Sequence, residues 1–449
     1  MRRQEFASFE EIKETQWDRL KILLQHAVRT VPYYRQQFTN LGITPDDIRT
    51  PEHFAQLPVL SKAILRKHRE SLVSEAAHKK TLIPNATGGS TGQPLQLYQD
   101  QQYWDWAYAS QVFVESWWGI RPGDRTASVW GVDRDLPPSG WKQKLESVIC
   151  QTRVCNAFAL DANGMHRFAL MLQDWCPRYI TGYASALEVF AKFLSDRPQI
   201  VIRPHAIKST AEVLSDRQRS LIQNVFSCHV YDFYGSREVN NVAAECNPHS
   251  GLHVNSLARY VELVDQGGKP VSESIPGRVL LTDLTNYAMP LIRYENEDIA
   301  AWCQGPCACR RSFPRLSALL GRKSDFIVLP SGKLIHGEFF THLFYGLSGV
   351  SQFQVVQTTP NMLRVDVVLE TGTSGNVLCP VAASIREVLG DKVACEVRVV
   401  NEIVRPISGK HRFTVSKVDV PWGAATIEKH SRAAIFGSPT QVQETEDVG

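Results

Sequence analysis

The sequence predicts an α/β protein in two parts: a large multi-layer N-terminal domain over residues 1–325 and a small α+β C-terminal domain over residues 326–449. Three observations predict this. A chain of 449 residues is too long for one ordinary core. Residues 178–238 alternate strand-like and helix-like runs, the pattern of α/β layering with a largely parallel sheet. Beyond the polar run GRKSD (321–325) the texture changes to a strand hairpin, one amphipathic helix and a further strand.

The elements follow in chain order. Over residues 9–37, Trp17, Leu20, Leu23, Leu24, Ala27 and Val28 recur at helical steps until VPYY (31–34) breaks them. Residues 81–98 read as strand, glycine-rich loop, strand. RYIT (178–181) is a short strand, and the helix after it carries Leu187, Phe190, Phe193 and Leu194. HAIK (205–208) is another strand, Ser215 and Asp216 cap a helix running to about Val225, and HVYDFYG (229–235) is a third strand. In the C-terminal part, residues 353–370 alternate apolar and polar about TTPN and read as a hairpin. A helix near 382–389 and the strand CEVRVV (395–400) follow, and the polar tail after Trp422 is expected to fray.

Composition excludes several partners. The chain carries 49 Lys and Arg against 46 Asp and Glu, and a net +3 gives no electrostatic reason to expect nucleic acid. No run approaches 18 apolar residues, so no membrane span is expected, and the first twenty residues lack the apolar segment of a secretory signal. Six of the ten cysteines (Cys150, Cys155, Cys176, Cys228, Cys379, Cys395) are scattered and read as the thiols of a cytoplasmic protein. The oligomeric state is not legible; a homodimer stays open.

The glycine-rich loop poses the functional question. GGSTG (88–92) fits the Gly-x-Ser-x-Gly pattern of a hydrolase's nucleophile elbow, but that elbow must open onto a helix. Here Pro94 follows, and residues 95–98 alternate as a strand. The loop also lacks the lysine of the common phosphate loop, and no Gly-x-Gly-x-x-Gly occurs in the chain. What remains is an anion cradle. Thr87, Ser90 and Thr91 bring hydroxyl groups, while Gly88, Gly89 and Gly92 let backbone N–H groups approach closely. A plain polar turn is the competing reading.

Four further motifs accompany the loop: YGSRE (234–238) after a strand, IRYENED (292–298), GRKSD (321–325), and RPISGKHR (405–412) with Lys410 in a Ser-Gly turn. In this order and spacing the set resembles the adenylate-forming (AMP-producing) ligase superfamily. The branch it resembles is that of the phenylacetate–CoA ligases and their capsular-polysaccharide-biosynthesis relatives. VPYYRQQF (31–38), LPVLSK (57–62) and GYASAL (182–187) extend the likeness over most of the chain.

The resemblance implies roles. Residues 87–92 would hold the pyrophosphate of ATP, Tyr234 with Gly235 would flank the adenine, and Glu238 would coordinate Mg²⁺. Asp298 would accept from the ribose hydroxyls, Arg322 would bind the nucleotide, and Asp325 would be the hinge of a mobile C-terminal domain. Lys410 would bridge the substrate carboxylate and the α-phosphate. Each has a plainer reading: core packing for Tyr234, the cap of a following helix for Glu238, a turn for Asp298, solvated charges for Arg322 and Lys410. The sequence also departs from the family: Gln93 stands where a lysine is frequent, Arg237 where a small hydroxyl residue is usual, and Glu297 where a glycine precedes Asp298. Glu297 would add negative charge near the ribose.

CQGPCACRR (303–311) and ECNPHSGLHV (245–254) place thiolate and imidazole donors at spacings that suit tetrahedral Zn²⁺. The expected set is Cys246, His253, Cys307 and Cys309, with Cys303 and His249 as substitutes. Four protein ligands would make such a zinc structural, as in some ligases of the branch it resembles. Reduced thiols are the alternative.

The resulting expectation is a carboxylic acid activated with MgATP to an acyl-adenylate and passed to CoA. An amine or hydroxyl acceptor, or a non-catalytic nucleotide- or acyl-binding relative, is the alternative. The acid is not readable. VWGVDRD (129–135), NAFALD (156–161) and GYASAL are expected to line its pocket through Trp130, Phe158 and Tyr183.

Overall fold

The computed structural model describes residues 1–86, 95–130, 151–156, 162–322, 325–331, 334–345, 347–403 and 413–418. Among them, residues up to Gly321 form one compact unit and those from Arg322 onward a second.

The first unit begins with a helix, Phe9–Thr30, whose start is set by a capping box between Ser8 and Glu11. Leu20, Leu23, Leu24 and Ala27 form its fully buried face. VPYY ends this helix and at once opens another, Pro32–Leu41, because proline is at home in a first turn.

A hairpin of β1 (Ile83–Ala86) and β2 (Gln96–Gln99) follows, paired antiparallel with Ala86 opposite Gln96. The large sheet has eleven strands: β3 (Thr126–Trp130), β4 (Thr152–Asn156), β5 (Tyr179–Tyr183), β6 (Ala206–Thr210), β7 (His229–Ser236), β8 (Asn240–Glu245), β9 (Leu252–Val254), β10 (Arg259–Val264), β11 (Gly277–Asp283), β12 (Tyr294–Trp302) and β13 (Arg315–Arg322). Their order is β10-β11-β12-β13-β9-β8-β7-β6-β5-β3-β4.

The sheet is mixed rather than largely parallel. From β4 through β3, β5 and β6 to β7 every pair is parallel. From β7 to β8 and from β8 to β9 the pairs are antiparallel, as are β13–β9, β10–β11 and β11–β12. The physical reason is the connection. Only residues 237–239 separate β7 from β8, which is enough for a tight reversal and far too short for a crossover helix. On the parallel half, the helices Ala162–Trp175, Ala184–Ser195 and Asp216–Phe226 cover the strands, and Phe168, Phe190, Ile207 and Phe226 share one core. Ser215 caps the last of these in a reciprocal box with Gln218.

The second unit contains β14 (Phe326–Val328), β15 (Leu334–His336), β16 (Val350–Thr359), β17 (Met362–Leu369), β18 (Ala394–Val399) and β19 (Thr414–Ser416). Four of them form a sheet of order β18-β17-β16-β19, and β16 turns into β17 at the TTPN segment with Thr359 opposite Met362. The helices Gly337–Tyr345 and Cys379–Leu389 contribute Phe340, Phe344 and Ile385 to a core shared with Phe353, Val355 and Val365. Among the described residues, no helix is long and apolar enough to cross a membrane.

Candidate functional site

The site is built at the C-terminal end of β7, where the sheet changes from parallel to antiparallel pairing. Such a switch is where α/β sheets open a crevice. Tyr234 is buried there, and the pairing with β8 shifts register between Tyr234 and Gly235. Gly235 permits the bulge: a Cβ on it would lie 2.8 Å from the Asn240 carbonyl oxygen and 3.1 Å from the Phe233 ring. The bulge carries the chain into Arg237 and Glu238. The next element is the strand β8, so Glu238 caps no helix, contrary to that alternative.

Three polar side chains meet behind this turn. The Tyr234 hydroxyl donates to Asp298 Oδ2 at 2.8 Å. Asn296 Nδ2 donates to the Tyr234 oxygen at 2.6 Å and to Asp298 Oδ2 at 2.5 Å, while the Asp298 amide donates to Asn296 Oδ1 at 3.1 Å. Burial, and then the Asp298 carboxylate, push the Tyr234 phenol well above its ordinary value, so it stays a donor. Glu238 is buried, and its Oε1 accepts from the Tyr294 hydroxyl at 3.1 Å.

Glu297 adopts φ +72°, the left-handed region that a glycine would enter without strain. Its charge does not stand alone. Lys62 Nζ lies 2.6 Å from Glu297 Oε2 and also donates to the Asn296 carbonyl at 3.2 Å. The neighbouring Arg293 is structural: it pairs with Glu262 at 3.1 Å and donates to the Ala55 and Leu57 carbonyls, fastening the N-terminal segment to β12. Lys62→Ala should leave Glu297 uncompensated beside Asp298. On the ribose-binding role that the sequence resemblance implies for Asp298, an increase in KM for MgATP of about fivefold is expected, worth about 1 kcal/mol. Adding Glu297→Gln should reverse it; steady-state kinetics of the single and double variants check this.

The hairpin is fastened to the same turn. Asn85 Nδ2 donates to Gln99 Oε1 at 3.0 Å, and both Asn85 Nδ2 and Gln99 Nε2 donate to the Arg237 carbonyl at 3.1 Å. Gln99 is completely buried. The strands β1 and β2 are thereby tied to the turn that carries Glu238. Gln99→Ala removes two net hydrogen bonds of about 1 kcal/mol each. If residues 87–92 hold the pyrophosphate of ATP as the sequence resemblance implies, it should slow pyrophosphate exchange by about tenfold or more, with far-UV circular dichroism unchanged.

At the C-terminal ends of the parallel strands, Trp130 on β3 and Tyr183 on β5 approach edge-on with ring centroids 5.2 Å apart. Thr87, Gly88, Gly89, Ser90, Thr91, Gly92, Phe158 and Lys410 lie outside the described residues. Arg322 and Asp325 meet where the chain passes between units, the Arg322 amide donating to Asp325 Oδ2 at 2.8 Å.

The sulfur and nitrogen donors converge elsewhere in the first unit. One ligand atom from each of Cys246, His253, Cys307 and Cys309 lies within 4.8 Å of the others. Cys246 Sγ is 3.5 Å from Cys307 Sγ, and Cys309 Sγ is 3.2 Å from His253 Nε2. His253 Nδ1 faces the Phe313 carbonyl at 3.2 Å, which reserves Nε2 for the cluster, and burial pushes the imidazole down to about 4, keeping it neutral. The substitutes stand apart: Cys303 Sγ faces the Ser250 carbonyl, and His249 contacts Glu245 and His229.

The CapK C-terminal domain family matches residues 327–417. A phenylacetate–coenzyme A ligase of Aromatoleum evansii is 26% identical over 337 residues, covering 72% of this chain and 73% of that protein. Protein CapK of Staphylococcus aureus is 22% identical over 377 residues, covering 82% and 81%. The chain is a homologue of the phenylacetate–coenzyme A ligases and of CapK. The crystal structure of 2-hydroxyisobutyryl-CoA ligase in the postadenylation state superposes with a TM-score of 0.72 at 20% identity, covering 96% of this chain and 93% of that one. This homologue therefore has the adenylate-forming ligase fold, a large mixed α/β unit followed by a separate smaller one.

Sequence reasoning missed four participants in the site of this homologue. Lys62 sits in LPVLSK, but nothing in that string says which carboxylate it meets. Asn296 and Tyr294 lie inside the IRYENED motif and are overshadowed by Asp298. Gln99 is the last residue of β2, opposite Ile83, and no motif points from it to its partners Asn85 and Arg237.

Proposed function

We propose that this homologue is an ATP-dependent carboxylate ligase that forms an acyl-adenylate and transfers the acyl group to CoA. The observation that carries the reading is the Tyr234–Asn296–Asp298 cluster beside Glu238, on the turn to which β1 and β2 are tied through the Arg237 carbonyl. The relatives named phenylacetate–coenzyme A ligase support it, as does the 2-hydroxyisobutyryl-CoA ligase, which has been crystallised with 2-HIB-AMP and CoA.

In the first step a carboxylate oxygen attacks the α-phosphorus of ATP, the bond to the β-phosphate breaks, and pyrophosphate leaves. In the second, the CoA sulfur attacks the acyl carbon and AMP departs with the oxygen. Asp298, fixed by Tyr234 and Asn296, presents a carboxylate oxygen to the ribose hydroxyls, and residues 87–92 receive the phosphates. Glu238 would hold Mg²⁺, which would supply neutralising charge to the phosphates. Lys410 stabilises the pentacoordinate α-phosphate, and Trp130, Phe158 and Tyr183 bound the acid. Cys246, His253, Cys307 and Cys309 would hold a Zn²⁺, for which three thiol sulfurs and an imidazole are a fitting donor set, and its contribution would be structural.

An ATP–pyrophosphate exchange assay across a panel of aryl, medium-chain and hydroxylated acids tests the first step whatever the acceptor. Exchange with at least one acid is expected, and exchange with none would overturn the reading. The alternative acceptor class is an amine or a hydroxyl. Supplying CoA, amines and sugars to the activated acid separates the two.

A further inference from the structure

Arg315 opens β13 directly opposite His253 on β9, and it is buried. No role assigned above uses it. Its guanidinium reaches two loops at once. Nη1 donates to the Ser250 carbonyl and, at 2.9 Å, to Ser250 Oγ. Nη2 donates to the Gln304 carbonyl at 3.3 Å and to the Gly305 carbonyl at 2.9 Å. Ser250 belongs to the loop that follows Cys246, while Gln304 and Gly305 lead into Cys307 and Cys309. One side chain therefore ties together the two loops that carry the three cysteines of the metal cluster. The main chain adds a further tie, the Cys303 amide donating to the Arg315 carbonyl at 2.8 Å.

The charges point the same way. Every acceptor that Arg315 reaches is neutral, and among the described residues it forms no ion pair. Its neighbour Arg311, by contrast, is matched with Glu5 at 3.0 Å. A buried cation without an anion is costly. The metal centre would supply that anion, since three thiolates on one Zn²⁺ leave a single negative charge. A path to the sulfur is in place: Ser250 Oγ accepts from Arg315 and lies 3.4 Å from Cys307 Sγ, so its own proton can point at the thiolate. We propose that Arg315 is a positioning residue of the metal centre. It holds the cysteine loops together and compensates the zinc–thiolate charge, acting on Cys307 through the Ser250 hydroxyl. The proposal rests on the zinc reading of the four donors and is independent of the ligase reading.

The test compares Arg315→Gln, Arg315→Lys and Ser250→Ala with the wild-type full-length protein. Zinc affinity is read by competition with a chromogenic chelator, and the melting temperature of the metal-free protein is read separately. Arg315→Gln should weaken zinc binding by about tenfold or more, the usual cost of removing a partner behind the ligands. Arg315→Lys keeps the charge and loses the fork, so it should recover part of that affinity. Ser250→Ala, at an exposed position, should weaken binding about threefold, as for one net hydrogen bond, without moving the metal-free melting temperature. With Co²⁺ in place of zinc, the sulfur-to-cobalt charge-transfer bands should shift in Arg315→Gln, because the field on the thiolates has changed. A merely structural arginine would lower the metal-free melting temperature and leave zinc affinity and the cobalt bands at their wild-type values; that result overturns the proposal. If Arg315→Gln does not fold, the other two variants decide, and wild-type zinc affinity in both overturns it. A wild-type protein that takes up neither Zn²⁺ nor Co²⁺ overturns the proposal together with the zinc reading beneath it, whatever the exchange assay gives.

Discussion

Lys410→Ala is expected to lower pyrophosphate exchange by about 10²–10³-fold, the usual cost of removing one pre-aimed donor from a developing anion. Attack of a carboxylate on a triphosphate brings like charges together, so a cation at the point of contact accelerates the step more than it tightens either substrate. The dissociation constant for MgATP should therefore stay within a few-fold of wild type. Lys410→Arg should recover little, since a planar guanidinium cannot take the place of a compact ammonium. Exchange at the wild-type rate in Lys410→Ala would remove this residue from adenylation. With a pre-formed acyl-adenylate supplied, transfer to CoA should survive the substitution, which locates the loss in the first step.

The second large effect is on stability. Metal analysis of the purified protein should find about one zinc per chain, and Cys309→Ser should lose it. Chelation or Cys309→Ser should lower the melting temperature by on the order of 5 °C or more, since a structural site contributes its binding energy to folding. The donors come from the end of β8, from β9 and from the segment between β12 and β13, so the ion would fasten three parts of one sheet region. Cys303→Ser serves as the control and should change neither metal content nor melting temperature, because its sulfur faces the Ser250 carbonyl instead. A protein with no zinc and an indifferent Cys309→Ser variant would leave these cysteines as ordinary thiols.

Much of the fold could be read from the pattern of residues because the patterns were local. The helix Asp216–Phe226 announces its start through Ser215, and the β16–β17 hairpin announces its turn through TTPN. The antiparallel half of the sheet was missed because strand direction depends on the length of a connection. The three residues after β7 matter only once the end of one strand and the start of the next are both known. The candidate site was legible where a motif holds its chemistry in consecutive residues, as in YGSRE. It was illegible where partners are distant in sequence: Lys62 meets Glu297, and Gln99 meets Arg237, only after folding. Glu297 illustrates the limit. Read alone it is an extra negative charge; in the fold it belongs to an ion pair on a strained backbone.

The strand β7 has a parallel neighbour on one side and an antiparallel neighbour on the other. Trp130 and Tyr183 belong to the first side, Asn296 and Asp298 to the second, so under the proposed function the residues bounding the cargo and those bounding the fuel would descend from separately wired portions of the polypeptide. Diversification could then act on the β3 and β5 termini while the apparatus for ATP was left intact. A lineage built on this plan would have a modular route to new acids, and under the proposed function grafting those two strand ends between homologues should exchange acid preference without re-engineering how the nucleotide is held.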